Sequence, residues 1–387
     1  MQDVPQIAQM QNAFFPLVGA LIFILLHFYI YKGLVKSVST KPTIRLLWKV
    51  FVVVNMFGCI AYLFFRQNPI IPQAIYFLLS LSLGMAFVLF IATLLYQFCS
   101  LFIMMIRSKS ERSRWRHRSK VGIFVLSLVM IVYGTFNGIK TPDVTSVKIE
   151  LEGLTTPIRA VVLSDLHIGG LIESNKINEI VQIVNDLDVD MVFLTGDIVD
   201  ARLADAEEAI DKLKGLQAKD GIFYVLGNHE YFHDIENIIA KIESLGFNVL
   251  INKSQIVNDN VNIVGIADLM GFRVGYLMPD FQEAFSQTNP ALPTILLSHQ
   301  PKVIEYLSND DKVDLILSGH THGGQIFPFS LAVLVQQPYL YGLHEIPNFL
   351  KTKIYVNQGT GFWGPPMRIG SYREITLLEL TPLSSNP

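Results

Sequence analysis

Two patterns of apolar and polar positions divide this chain near residue 140. Before it, apolar residues run on without period through Phe14–Tyr31, Val50–Phe65, Ala74–Ile106 and Val121–Ile139, with almost no charge inside them. Crossing a hydrocarbon core takes about 20 apolar residues. The second run reaches that length once Leu46–Lys49 are included, with Lys49 reaching to the interface. The third is too short for two spans and a turn, so it predicts one tilted or protruding helix. Four transmembrane helices are therefore expected, at about 14–31, 46–65, 74–106 and 121–139. Core helices of a soluble protein are usually shorter than several of these runs. No basic region precedes Phe14 and no small-residue cleavage site follows it, so a cleaved signal peptide is not expected.

Beyond the turn at Thr141-Pro142, read as a linker, short apolar runs alternate with helical spacing. Ile158–Leu163 predicts a buried strand ending at Ser164-Asp165. Ser174–Leu187, with apolar Ile177, Ile180, Val181 and Val184, predicts a helix. Strand Met191–Leu194, helix Asp205–Leu216, strand Gly221–Leu226 and helix Ile235–Leu245 follow. Further strands are expected at Val261–Ile266, Thr294–Leu297, Leu315–Leu317, Ile354–Val356 and Glu374–Leu380. This is an α/β domain over 141–387 behind a transmembrane domain over 1–140, with no internal repeat. Its length is enough to bury a substantial core.

Composition sharpens the division. Over the whole chain 51% of residues are apolar and only 16% charged, against about 25% charged in a typical soluble protein. The net charge of −3 conceals 14 Lys and Arg against Asp3 and Glu111 up to residue 140, and 16 against 31 acids after it. Because the cations interrupt apolar runs and form no single face, a nucleic-acid binder is a poor reading. They fall in two loops: Lys32, Lys36, Lys41, Arg45 and Lys49 between the first two spans, and Arg107, Lys109, Arg112, Arg114, Arg116, Arg118 and Lys120 before the last. The intervening loop has only Arg66, and residues 1–13 have no Lys or Arg. The positive-inside rule puts both basic loops in the cytoplasm and everything after Lys140 outside it, on the far side of the cell membrane. Contact of 107–120 with anionic lipid is compatible with that topology. Cys59 and Cys99 lie in apolar stretches and form no disulfide framework.

Chemistry collects where the strands end. Asp165-Leu-His167, Gly196-Asp197-Ile-Val-Asp200, Gly227-Asn228-His229-Glu230, Ser298-His299 and Gly319-His320-Thr-His322 each follow an apolar run. Ligands of α/β sheets gather at the carboxyl ends of strands. Taken singly these are weak signals, an Asp-x-His being more often a helix cap beside a surface histidine. Together they supply carboxylate, amide and imidazole donors enough for two metal ions, with no thiolate, which argues against a zinc finger.

This ordered series resembles the calcineurin-like metallophosphoesterase superfamily over roughly Ile158 to Leu380, and most of all its membrane-associated bacterial branch. The resemblance implies a four-layer fold of two packed sheets flanked by helices, with a two-metal site at the sheet edge. It implies that Asp165, His167 and His322 hold one ion, that Asn228, His299 and His320 hold the other, and that Asp197 bridges them. It also makes His229 the general acid, oriented by Asp200, and a metal-bridging hydroxide the nucleophile. Mn, Fe and Zn suit such ligands equally. The pattern departs from the family in two places. Ala201 follows Asp200 where the protein serine/threonine phosphatases have an arginine, and Arg202 beyond it reads as an exposed helix-start residue. Arg373-Glu374 stands where related membrane enzymes often carry Pro-Glu. Glu230, Tyr231 and His233 are open between pocket and structural roles, while His27, His117 and His344 have no ligand context.

The leading expectation is a membrane-anchored hydrolase of phosphomonoesters or phosphodiesters. A lipid pyrophosphatase resembling the UDP-diacylglucosamine hydrolases is a second reading, which the topology disfavours, and a non-catalytic partner-binding domain is a third. One further stretch bears on substrate: Ile326–Val335 has one hydroxyl and no charge. It reads either as a buried strand or as an apolar apron that, with Leu269–Phe272 and Gly361–Pro366, favours membrane lipids as partners and a lipid-linked phosphoester as substrate.

Overall fold

The computed structural model describes residues 6–65, 71–308, 311–347 and 352–383, and the side chains of 6–15 are not among what it describes. Arg66 lies outside these residues. The chain forms two compact units, Met1–Ile139 with Gly364–Met367, and Lys140–Trp363 with Arg368–Pro387.

The first unit holds four helices long and apolar enough to cross a membrane: α1 (Gln6–Ile30, continued by a wider turn to Val35), α2 (Pro42–Phe65), α3 (Gln73–Ile103) and α4 (Lys109–Ile139). Their large apolar side chains largely face outward, as in Leu21, Val54, Leu95 and Val132, an arrangement that lipid satisfies and water does not. Polar side chains turn inward. His27 is bonded through Nε2 to Asn55 Oδ1 at 2.9 Å, and Asn55 Nδ2 donates to the Ser82 carbonyl at 3.0 Å. His27 thus joins α1 to α2. Against expectation, α4 begins at Lys109, so most of the basic segment taken as a loop is helical. Lys, Arg and Glu are good helix formers, and nothing halts a helix where hydrocarbon ends.

The second unit is built on two six-stranded sheets. The first has the order β1 (Asp143–Leu151), β12 (Glu374–Pro382), β2 (Ile158–Leu163), β3 (Met191–Thr195), β4 (Gly221–Val225), β5 (Asn248–Val249). The second runs β10 (Gly342–Glu345), β11 (Lys353–Val356), β9 (Leu315–Ser318), β8 (Thr294–Leu297), β7 (Val261–Gly265), β6 (Lys253–Val257). Strands β2 to β5 are mutually parallel, as are β7, β8, β9 and β11, while β6 and β10 close their sheet as antiparallel edges. Alternation along each strand supplies the shared core: Ala160, Val162, Phe193 and Phe223 from one sheet meet Ile263, Ile295, Leu297 and Leu317 from the other.

Helices α5 (Ser174–Asn185), α6 (Leu203–Lys212) and α7 (Ile235–Ser244) each bury one apolar face. Short helices α8 (Met270–Val274) and α9 (Phe281–Phe285) follow β7, and Phe281, Ala284 and Phe285 pack with the opposite face of the second sheet. Helix α6 starts two residues ahead of expectation because Asp234 accepts the Leu203 N–H at 3.0 Å. Strand β1 begins straight after Pro142, where a linker was expected. Its exposed first half leaves no apolar run to read. The largest difference is Ile326–Val335. It forms no strand: Phe329–Gln336 is a helix, α10, in which no residue is buried.

Asn260, in the turn before β7, ties the two sheets at one end. Its Oδ1 accepts the Thr155 and Thr156 N–H groups at 2.8 and 3.2 Å, and its Nδ2 donates to the Thr156 carbonyl. Asn260→Ala removes these hydrogen bonds to the exposed Thr155 and Thr156 and should cost about 0.5–1.5 kcal/mol. The expected readout is a lower denaturant midpoint for the full chain at unchanged slope; an unmoved midpoint would show that water takes the side chain's place.

Candidate metal centre

Asp165, His167, Asp197, His229, His299, His320 and His322 come together at one crevice, since β2, β3 and β4 in one sheet, and β8 and β9 in the other, run parallel and end there. Local backbone does the rest. Asp165, His167, Asp197, His320 and His322 all have left-handed φ, between 50° and 71°. Each such conformation costs a non-glycine residue roughly 1–2 kcal/mol, and it turns the side chain back into the crevice. Gly319 has no alternative at its position, since a Cβ there would lie 1.7 Å from Ser164 Oγ and 2.4 Å from Asp165 Oδ2.

Three overlapping groups of donors result: Asp165, His167 and His322; His167, Asp197 and His229; and Asp197, His299 and His320. Asp165 is fully buried and accepts the Ser164 hydroxyl at 2.6 Å and the His320 N–H at 3.0 Å, with His322 Nε2 at 3.2 Å. Asp197 Oδ2 lies 3.1 Å from His299 Nε2, and its Oδ1 accepts the His229 N–H at 2.8 Å. The His299 Nδ1–H donates to the Thr195 carbonyl at 2.9 Å, which fixes the ring with Nε2 facing inward. His229 donates from Nδ1 to Asp200 at 2.7 Å, and Asp200 also takes His233 Nε2 at 3.2 Å.

The electrostatics follow from this crowding. Burial pushes the Asp197 carboxyl up, but the His299 and His229 rings outweigh it and hold the group well below the usual carboxylate range. His229 is depressed by burial, yet the charge of Asp197 and the bond to Asp200 lift it to about 9. Burial, joined by the neighbouring His299 charge, takes His320 down to about 3. For His322 burial is again the leading cause and lowers it to about 4. These last two are neutral imidazoles, the form that binds a metal.

Two divalent ions suit this donor set. His167 Nε2 faces His322 Nε2 at 3.0 Å, and His320 Nδ1 faces His299 Nε2 at 3.3 Å. Each pair of nitrogens can share only one proton, whereas a cation satisfies both. Asn228 Oδ1 is buried with no hydrogen-bond partner, a carbonyl oxygen left for a ligand. Oxygen and imidazole without sulfur is the chemistry of Mn, Fe or Zn sites.

Supporting groups were less visible in the sequence. Glu230 is fully buried and its carboxylate collects the N–H groups of Gly227, Asp197, Ile198 and Val199 at 2.9, 3.3, 2.8 and 3.0 Å, joining the two loops that carry Asp197 and Asn228. Arg368, also fully buried, donates to the carbonyls of His322 and Gly361 at 2.9 and 2.8 Å. Nothing in its sequence context marks it. Arg202 pairs with Asp205 at 2.8 Å and is exposed, as its position before α6 suggests. Glu374, which replaces no ligand, is buried against Tyr355.

Comparison with known proteins agrees with this geometry. The profile of the calcineurin-like phosphoesterase family matches residues 158–324. A metallophosphoesterase of Campylobacter jejuni is 33% identical over 369 residues, covering 95% of this chain and 98% of its own. A transmembrane protein with metallophosphoesterase domain from Danio rerio is 33% identical over 276 residues, 68% of this chain and 63% of that one. The UDP-2,3-diacylglucosamine pyrophosphatase of Chlamydia muridarum is 29% identical over 265 residues, 53% of this chain and 78% of its own. With its four membrane-length helices and its crevice of carboxylate and imidazole donors, the chain belongs to the calcineurin-like phosphoesterase family, as a membrane-associated member.

Proposed function

We propose that this protein hydrolyses phosphomonoester or phosphodiester bonds of lipid-linked substrates with two divalent metal ions, outside the cytoplasmic membrane. The observation that carries the reading is Asp197, one carboxylate common to two donor groups and bonded to the backbone of His229. Asp165, His167 and His322 would hold one ion, Asn228, His299 and His320 the other, and Asp197 both. Ions bound there supply the Lewis acidity that activates water and offsets charge on a phosphoryl group.

The chain's own residues do the remainder. Because the His229 Nδ1–H donates a hydrogen bond to Asp200, its Nε2 is left to face the crevice, 3.9 Å from Asp197 Oδ2. The bond to Asp200 favours the protonated ring, and a protonated His229 can deliver its Nε2 proton to the departing oxygen. Asp200 is a positioning residue. Glu230 aims Asp197 by holding its N–H.

Our placement of the domain rests on the two basic segments, the one between α1 and α2 and the one that begins α4. The Chlamydia muridarum relative supports a lipid substrate and keeps open a nucleotide-linked pyrophosphate, which would need the domain in the cytoplasm. Accessibility of tags placed in 140–145 separates the two: labelling from outside intact cells fits our reading, and protection there favours the other.

Asp197→Asn should reduce metal-dependent hydrolysis to background and lower the bound metal measured after purification. Retention of both ions with most of the activity would refute the assignment. His229→Ala should keep both metals and lose roughly 10²–10⁴-fold in turnover on alkyl phosphates, with a smaller loss on nitrophenyl esters, whose leaving group needs no proton. Equal losses on both would remove the general acid. Glu230→Gln turns an amide N–H toward backbone donors and should destabilise the domain by about 1–3 kcal/mol, with weaker metal retention in a chelator titration.

A further inference from the structure

Helix α10 is a physical oddity in the α/β unit. Its eight residues, Phe329–Gln336, carry no charge, and none is buried. Phe327, Phe329, Leu331 and Leu334 expose about half or more of their surface and Val335 exposes 85%. At about 100° per residue, exposed Leu331, Leu334 and Val335 share one face about 100° wide, exposed Ala332 extends it, and Phe329 lies on the other side of the axis. A helix apolar on most of its circumference is normally buried, and exposed patches of this kind mark interaction sites. A protein partner covers one face of a helix. A lipid leaflet covers all the sides that are free.

Chain connectivity says where a leaflet lies. Helix α4 ends at Ile139 and β1 begins at Asp143, so three residues separate a membrane-length helix from the α/β unit, at most about 10–11 Å of extended chain. That exit is bound close to the root of α10. Arg373 Nη1 donates to the Lys140 carbonyl at 2.7 Å, while Ile369, four residues earlier, exchanges hydrogen bonds with Gln325 and Phe327. Four residues span no more than about 13–14 Å. Half-exposed Trp363 and Tyr372 lie in the same region, with Trp363 bonded to Gln325 and Lys140 Nζ 5.6 Å from the Tyr372 ring. Trp, Tyr and Lys are the residues found at membrane interfaces. The metal centre adjoins this surface too, since the Trp363 ring is 5.6 Å from that of His229 and α10 follows directly on His322–Gly324.

We propose that α10, with Phe327 and Trp363, inserts into the leaflet of the bilayer from which α4 emerges, so that the crevice takes phosphoesters at the headgroup level of that leaflet. The docking stands on the geometry above. Its consequence for substrate rests on the hydrolase reading of the previous section. With eight residues α10 is too short to cross the hydrocarbon core, so it would enter the leaflet without spanning it.

The test uses the full chain in lipid nanodiscs. With Cys59 and Cys99 replaced by alanine, a bimane fluorophore is attached at Val335→Cys, or at Lys253→Cys on the exposed edge strand β6. Lipids brominated in the acyl chain should quench the label at 335 and leave that at 253 bright. No quenching at 335 would overturn the proposal, and shielding that appears only at high protein density would assign α10 to a second copy of the chain. In parallel, the double variant Leu331→Glu, Val335→Glu should lose at least roughly tenfold of hydrolysis of vesicle-borne phospholipid while keeping that of nitrophenyl phosphate. Quenching without hydrolysis of any ester leaves the docking intact and defeats the hydrolase reading. Hydrolysis without quenching does the reverse.

Discussion

The buried charge of Asp197 is the constraint on which the rest of the crevice depends. A carboxylate taken out of water at the end of a strand is costly unless it is met by opposite charge and hydrogen-bond donors. Here His299 stands 3.1 Å away, the His229 N–H donates at 2.8 Å, and the rings of both histidines draw the carboxyl well below its ordinary range. A second buried carboxylate, Glu230, sits close enough that Asp197 adds to the burial that pushes its pKa up. Four backbone N–H groups offset that cost, and in doing so they lock together the loops after β3 and β4. Charge compensation and geometry are therefore one arrangement.

That arrangement is strained, and the sheets carry the strain. Five left-handed residues at about 1–2 kcal/mol each are held by loops only a few residues long, each rooted in a strand whose last four residues are buried. The interface between the two sheets, with Phe193, Phe223, Ile295 and Leu317 at its heart, fixes where those strands end. Arg368 and Asn260 act farther out, one under the His322 backbone and the other across the sheets. Strain of this kind recurs at functional sites because pre-set donors need no reorganisation when a ligand arrives.

The membrane unit inverts the pattern of the α/β unit. Its large apolar side chains face outward and its polar ones, His27, Asn55, Ser82 and Thr93, are inside. Lipid supplies no hydrophobic drive between helices, so small and polar contacts do the joining. The bond from His27 to Asn55 is of that type. Helix α10 shows the membrane pattern within the other unit, which is why its exposure has a meaning that scattered surface leucines lack.

Periodicity and composition alone determined much of this protein. Uncharged runs of 16 to 33 residues, as in 50–65 and 74–106, are explained by hydrocarbon and little else, and the strands ending at Ser164, Gly196 and Gly227 are legible because both faces of a parallel sheet are buried and the apolar residues run on. Asp165, His167, Asp197, Asn228, His299, His320 and His322 stand out because each follows such a run. Tertiary structure alone decided the rest, for reasons of distance and pairing. Strand β1 has six of its nine residues exposed, and its place beside β12, 231 positions away at Asp143 and Glu374, leaves no local mark. Glu230 is one carboxylate among many until four backbone N–H groups converge on it, and Arg368 is an ordinary arginine until His322 and Gly361 turn their carbonyls toward it. In Ile326–Val335 the apolar pattern was plain, but a run of ten uncharged residues reads alike as buried strand and exposed helix. Only the exposure of α10 among the described residues told them apart, because burial is a property of what the rest of the chain brings alongside.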